Sequence, residues 1–266
     1  MSFFVHLDKV PLRLQSPEGT LFSEGICFSP EGQEHYKNAL AVFTHGYTAE
    51  KTPLLPWAIR LADFGIPTII FDLPGHYLAS FTELDSFENF KVNAHKLFSV
   101  ALNELKLKSK FQMNAETKII LGGHSMGGLL SLKALMNDDL SPYTKLGLGI
   151  GVGIQDGEKK HLFETKFYEK TMHIRSQLVS PHLNPTDVFS WLYEEKKNIQ
   201  TFHQRISLIT GEDDAVVSHE GAERFKTLLE EHSNLVNLEK PSKLPHNSPE
   251  LAAGSVYRHV KEFLLA

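Results

Sequence analysis

Apolar residues along this chain fall into short continuous runs separated by stretches in which they recur every three or four positions. Near the N-terminus, VPLRLQ and TLFSEGICF flank the turn-like SPEG, the pattern of an initial strand or hairpin. ALAVFTHG at 39–46 is an apolar run that stops at a histidine and glycine, and GIPTIIFDLPGH at 65–76 supplies a second buried strand. The spacing between them predicts a helix over 54–64. From Asp85 to Leu107, Phe87, Phe90, Val92, Leu97, Val100, Ala101, Leu102 and Leu105 recur at helical spacing. Further strands are predicted at the start of 117–136 and at 146–153, 206–211 and 234–239. A terminal helix follows over 249–264, opened by Pro249 and carrying Val256, Val260 and Leu264 on one face.

Apolar strands alternating with helices predict an α/β fold, a mainly parallel sheet covered by helices on both faces. The rhythm breaks at 154–204, which is rich in charge, histidine and aromatics and lacks a clear buried strand. Helical pieces fit 161–178 and 187–199, with Pro181 and Pro185 between them. The expected organisation is a core of 1–153 and 205–266 with a small helical cap, 154–204, over the C-terminal edge of the sheet. Open α/β sheets bind ligands at that edge. A surface elaboration remote from the site is the alternative.

Composition narrows the function classes. With 266 residues the chain can bury one large core. The 27 basic and 32 acidic residues leave a net charge of -5 without a basic stripe, so nucleic acid is not an expected partner. A lone cysteine, Cys27, allows neither an internal disulfide nor a thiolate metal cluster. The N-terminus does not read as a signal peptide, and no apolar stretch is long enough to span a membrane. A cytoplasmic enzyme without integral membrane association is therefore expected. The glycines at 147, 149, 151 and 153 miss the G-x-G-x-x-G spacing, and His161, His173 and His182 lack a His-Glu-x-x-His helix. Neither a cofactor nor a metal is expected.

Gly123-His124-Ser125-Met126-Gly127 carries the chemistry. A serine between a β-branched run and a helix-forming run sits on a sharp, strained turn, and small neighbours let the chain fold back on itself. The helix that follows turns its N-terminal amides toward charge developing in acyl transfer. A glycine-bounded structural turn is the plain alternative.

With that motif in place, the sequence resembles the α/β-hydrolase superfamily, particularly capped serine esterases and monoacylglycerol-lipase-like hydrolases. His45-Gly46-Tyr47 resembles the oxyanion loop, and Asp72-Leu73-Pro74-Gly75-His76 the loop after the next strand. Gly211-Glu212-Asp213-Asp214 resembles the acid-bearing turn, and His246 the late histidine before the final helix. After His76 the chain departs from the family pattern, because Tyr77-Leu78-Ala79 replaces the usual glycine-containing continuation.

The resemblance implies a Ser125, Asp214, His246 triad, in which His246 removes the serine proton and Asp214 orients and stabilises the imidazole. Asp213 is the competitor for Asp214, since adjacent acids after a strand can both be turn residues. Backbone amides of Tyr47 and Met126 would form the oxyanion hole. His45, Phe167 and Trp191 are candidate pocket residues; helix packing is the alternative for the aromatics of 154–204. The expected activity is hydrolysis of an uncharged carboxylic ester with an apolar acyl group. Thioester or amide cleavage by the same groups, or a ligand-binding module with slow turnover, remain open.

Overall fold

The computed structural model describes residues 4–32, 36–79, 82–154 and 166–266, with side chains in the last segment from residue 171 onward. The predicted hairpin is present. Strand β1 (Val5–Ser16) pairs antiparallel with β2 (Gly19–Pro30), from Val5 opposite Pro30 to Ser16 opposite Gly19. The strands that follow are β3 (Ala39–Thr44), β4 (Thr68–Phe71), β5 (Lys118–His124), β6 (Thr144–Ile150), β7 (Arg205–Ile209) and β8 (Leu235–Glu239). Among the described residues these eight form one sheet in the order β1-β2-β4-β3-β5-β6-β7-β8. β2 meets β4 antiparallel, and every pairing from β4 through β8 is parallel.

Burial on both faces explains why the central strands read as unbroken apolar runs. In β3, Leu40 and Val42 enter one core, and Ala39, Ala41 and Phe43 enter the other. β5 divides the same way, with Ile119 and Leu121 on one face and Ile120 on the opposite one. The first core is covered by α3 (Leu97–Ser109), α4 (Met126–Ala134) and α7 (His219–Glu231). The second is closed by α1 (Leu55–Asp63) and α8 (Ala253–Leu265). The connection after β3 therefore leaves toward one face and that after β5 toward the other. A crevice opens where they part, the usual ligand position of an open α/β sheet.

Two elements differ from expectation. The predicted helix over 85–107 is broken into α2 (Phe87–Asn93), a 3-10 turn at Ala94–Lys96, and α3. At the break the buried Asn93 side-chain amide donates to the Ser16 hydroxyl at 2.9 Å and to the Asn89 side-chain Oδ1 at 3.0 Å. Tying that side chain to the β1–β2 turn competes with straight helix propagation. Helix α7 was not anticipated, although its signals are local. Ser218 caps it by accepting from the Gly221 amide at 3.0 Å, and Ala222, Phe225 and Leu229 form its buried face.

Between β6 and β7 lies a small helical insertion containing α5 (Lys166–Gln177) and α6 (Pro185–Lys197). α6 starts cleanly, with Pro185 in its first turn and the Asn184 side chain accepting from Asp187 N at 3.1 Å. The segment joining α5 to α6 is pinned to the loop after β4. Tyr77 N donates to Leu178 O at 2.8 Å and Ser180 N to Gly75 O at 2.7 Å. Among the described residues no helix is long and apolar enough to cross a membrane.

Trp57 links the second core to the C-terminal loop. It is fully buried, stands edge-on to Phe43 with centroids 5.6 Å apart, and donates to Pro249 O at 2.8 Å. Trp57→Ala should lower the unfolding free energy by about 3–5 kcal/mol, read from urea denaturation. A loss below about 1 kcal/mol would contradict this account of the core.

Candidate active site

The end of β5 is shaped by contacts that only glycine permits. A Cβ on Gly123 would lie 2.5 Å from the Gly127 carbonyl carbon, and one on Gly127 would lie 2.4 Å from the His45 carbonyl oxygen. Ser125, between them, adopts φ 51° and ψ -115°, a costly conformation for a residue with a side chain. Its amide is held by Ile150 O at 2.7 Å and its carbonyl accepts from Leu129 N at 3.1 Å. The turn thus runs directly into α4, whose first residue is Met126.

The acid-bearing turn and the late histidine meet beside this elbow. His246 Nδ1 lies 2.8 Å from Asp214 Oδ2. The other oxygen of Asp214 accepts from Val216 N and Val217 N, each at 2.8 Å, so the carboxylate is clamped in position. Asp213 does different work, accepting from Leu244 N at 2.9 Å and bracing the loop that carries His246. Of the two adjacent acids, Asp214 is the one facing the imidazole. The Ser125 hydroxyl makes no hydrogen bond to a described residue, but Ser125 and His246 border the same two cavities.

Buried histidines surround the pair without sharing its environment. The Leu73 amide donates to His45 Nε2 at 2.9 Å, which places the ring proton on Nδ1, where it reaches Gly46 O at 2.8 Å. Burial holds the His45 imidazole down at about 4, so its 3.6 Å approach to Asp72 is not an ion pair at neutral pH. Burial likewise takes His76 to about 3 and His124 well below the ordinary histidine range. Asp72 is paired with the Lys51 ammonium and accepts from Lys51 N at 2.9 Å, bracing the loop after β3.

The candidate pocket residues separate. His45 is 1% exposed and borders the larger cavity chiefly as part of the loop scaffold. Trp191 borders neither cavity. It packs edge-on against Phe87 and Phe90, with centroids 5.8 and 6.0 Å away, and its indole N–H meets Glu195 at 2.9 Å. The Phe167 side chain lies outside the described residues. Phe189, two positions before Trp191 and so on the opposite side of α6, borders both cavities and meets the Tyr47 ring edge-on at 5.3 Å. Tyr47 also donates its phenol to Leu183 O at 2.6 Å, fastening the loop after β3 to the helical insertion.

The smaller cavity has a volume of about 70 Å³ and passes from Ser125 and Met126 to Leu129, Val152 and Val217. The larger, about 630 Å³, extends the other way past Thr48, Arg175 and Asn247. Among the described residues no three His, Cys, Asp or Glu side chains converge as a metal site would require.

A family model described as the alpha/beta hydrolase family matches residues 41–251. The chain belongs to that family. No curated protein sequence matches it. Solved structures share the alpha/beta hydrolase fold at low identity. XC6422 from Xanthomonas campestris, described as an a/b serine hydrolase without lid, is 16% identical with a TM-score of 0.57, covering 97% of this chain and 96% of its own. The Pyrococcus furiosus esterase Pf2001 is 15% identical with a TM-score of 0.59, over 98% and 92%. A 2-hydroxy-6-oxo-6-phenylhexa-2,4-dienoate hydrolase from Rhodococcus is 14% identical with a TM-score of 0.58, over 98% and 100%. At these identities the likeness establishes the fold.

Gly127→Ala tests the elbow geometry, because its methyl group would meet backbone on several sides. The substitution should cost about 3 kcal/mol or more, measured by chemical denaturation. A neutral result would mean that the loop after β3 does not press on the elbow.

Proposed function

We propose that this alpha/beta hydrolase is a serine esterase acting through Ser125, His246 and Asp214. The observation that carries the reading is the clamped Asp214–His246 pair, 2.8 Å apart, bordering the same cavities as a serine with φ 51°. Ser125 Oγ attacks the ester carbonyl carbon while His246 Nε2, the ring nitrogen not engaged by Asp214, takes its proton. The tetrahedral oxyanion is stabilised by the amides of Met126 and Tyr47. The Met126 amide belongs to the first turn of α4, where N–H groups lack intrahelical acceptors. Collapse returns the histidine proton to the departing alkoxide and leaves an acyl-serine. Water then attacks that acyl carbon, giving one proton to His246, and the acid departs as the proton returns to Ser125.

The two cavities supply a division of labour. Met126 borders only the smaller, largely apolar cavity, which suits a short acyl group; His246, Asn247 and Arg175 border the larger one, which suits a leaving alcohol reached by the protonating imidazole. In this reading 154–204 acts as a cap whose helix α6 closes the acyl side, over a core of 1–153 and 205–266.

A fluorophosphonate probe should label Ser125, and Ser125→Ala should abolish both labelling and ester turnover while remaining folded. Labelling mapped to another serine would overturn the assignment. Asp214→Asn should lower kcat/KM by roughly 10²–10⁴-fold, because the imidazolium loses its partner. Asp213→Asn should cost far less in side-by-side kinetics, and the reverse order would move the acid role to Asp213. Along a neutral series of ethyl esters, kcat/KM should peak at a short acyl chain and fall once the small cavity is filled. A profile that keeps rising with length would place the acyl group in the larger cavity.

A further inference from the structure

One cation reaches the acyl side of the site. Lys196, in the last turn of α6, borders the smaller cavity together with Ser125, Met126 and His246. Leu192 and Val217 line the same cavity, and the Lys196 ammonium donates to Gly153 O at 2.8 Å. A lysine ammonium has three donors, so this contact leaves two. Among the described residues no carboxylate pairs with it; the neighbouring Lys133 takes Glu195 instead. Burial pushes the Lys196 amine down to about 8, so this half-buried side chain still carries charge at neutral pH.

A cation in an apolar wall without a counter-charge is costly. Tethering α6 to a carbonyl does not account for it, because a neutral amide side chain could donate the same hydrogen bond. An anionic ligand in the cavity would supply the missing partner. The dimensions limit that ligand. At roughly 10–15 Å³ of cavity space per water-sized group, about 70 Å³ accommodates a chain of roughly five to seven such groups beyond the reacting carbonyl.

We propose that Lys196 determines specificity by binding a carboxylate at the far end of a short acyl group, so that the substrate is the monoester of a short dicarboxylic acid. The proposal rests on the acyl-transfer reading above, with Ser125 attacking the ester carbonyl and Lys196 holding the distal carboxylate. It replaces the wholly apolar acyl group expected from the aromatic content of 154–204.

The test compares monoethyl succinate with ethyl butyrate, which share chain length and leaving group and differ in a terminal carboxylate against a methyl group. Ethanol release by the intact protein should favour the succinate ester by roughly 10–100-fold in kcat/KM, the range expected of a hydrogen bond to a charged group. Lys196→Met should bring the ratio to about one or below, and Lys196→Arg should retain part of the preference. A wild-type ratio near one overturns the proposal, as does a Lys196→Met protein that loses both activities equally and keeps the ratio. Calorimetric binding of the two esters to Ser125→Ala reads the lysine without the chemistry. Tighter binding of the succinate ester that is lost on adding Lys196→Met supports the anion site even if turnover fails, in which case only the esterase reading falls. Equal binding of the two esters overturns the anion site itself.

Discussion

Behind Ser125 two stretches of backbone stand in contact, and the position of nearly every other group at the site follows from that approach. The His45 carbonyl sits against Gly127 so closely that a Cβ there would lie 2.4 Å away. The same His45 uses its ring to hold its own loop and the next one, through Gly46 O and Leu73 N. Asp72, beside Leu73, reaches back to Lys51 in the loop after β3. Loops following β3, β4 and β5 are therefore one braced unit. The strained φ of Ser125 is maintained by this unit and by the Ile150 carbonyl on the adjacent strand, since no local preference of serine would hold it.

The helical insertion attaches to that unit at several points. Tyr47 donates to Leu183 O, the 178–180 segment pairs with residues 75–77, and Lys196 reaches Gly153. These contacts couple the wall of the smaller cavity to the elbow, so a change in α6 alters the space beside Ser125 directly. Trp191 and Glu195 serve the same end from the far side of α6, locking it to α2 and to Lys133 on α4. With one face of α6 fixed to the core, Phe189, Leu192 and Lys196 are left to border the cavity.

Much of this was legible in the sequence because the carriers are local. Gly123, Gly127 and the apolar runs of β3 to β7 announce strand, turn and parallel sheet without reference to distant residues. Asp214 and His246 could be placed from their motifs, but choosing between Asp213 and Asp214 needed three dimensions, because both follow the same strand and both accept backbone N–H groups. Aromatic content in 154–204 could not say which rings face a cavity. Trp191 and Phe189 lie two positions apart on α6, and helical geometry sends them to opposite fates. Lys196 was invisible for a related reason: on a helix rich in lysine and glutamate, only packing distinguishes a solvated charge from one turned inward. Helix α7 carries weaker signals than its neighbours, a serine cap and an Ala222, Phe225, Leu229 face among charged residues just beyond the acid-bearing turn.

Four histidines, His45, His76, His124 and His246, lie close together here, and electrostatics separates them. The proposed proton transfer from serine would create an imidazolium, which is stable only where something compensates its charge. His45 is desolvated, with Nε2 occupied as an acceptor for Leu73 N, and at about 4 it stays neutral. His76, at about 3, is buried between aromatic rings, with the His45 ring 5.1 Å away and Phe90 at 6.4 Å. His124 packs 4.8 Å from His246, and burial, with that neighbouring ring, holds its imidazole well below the ordinary histidine range. A neutral His124 therefore keeps the second cation out of the neighbourhood. His246 alone among the four has a clamped carboxylate oxygen at 2.8 Å from one ring nitrogen and a cavity shared with Ser125 beside the ring. On the proposed reading, desolvation sets three of these bases aside, and His246 is left as the one where a proton taken from Ser125 would find a counter-charge.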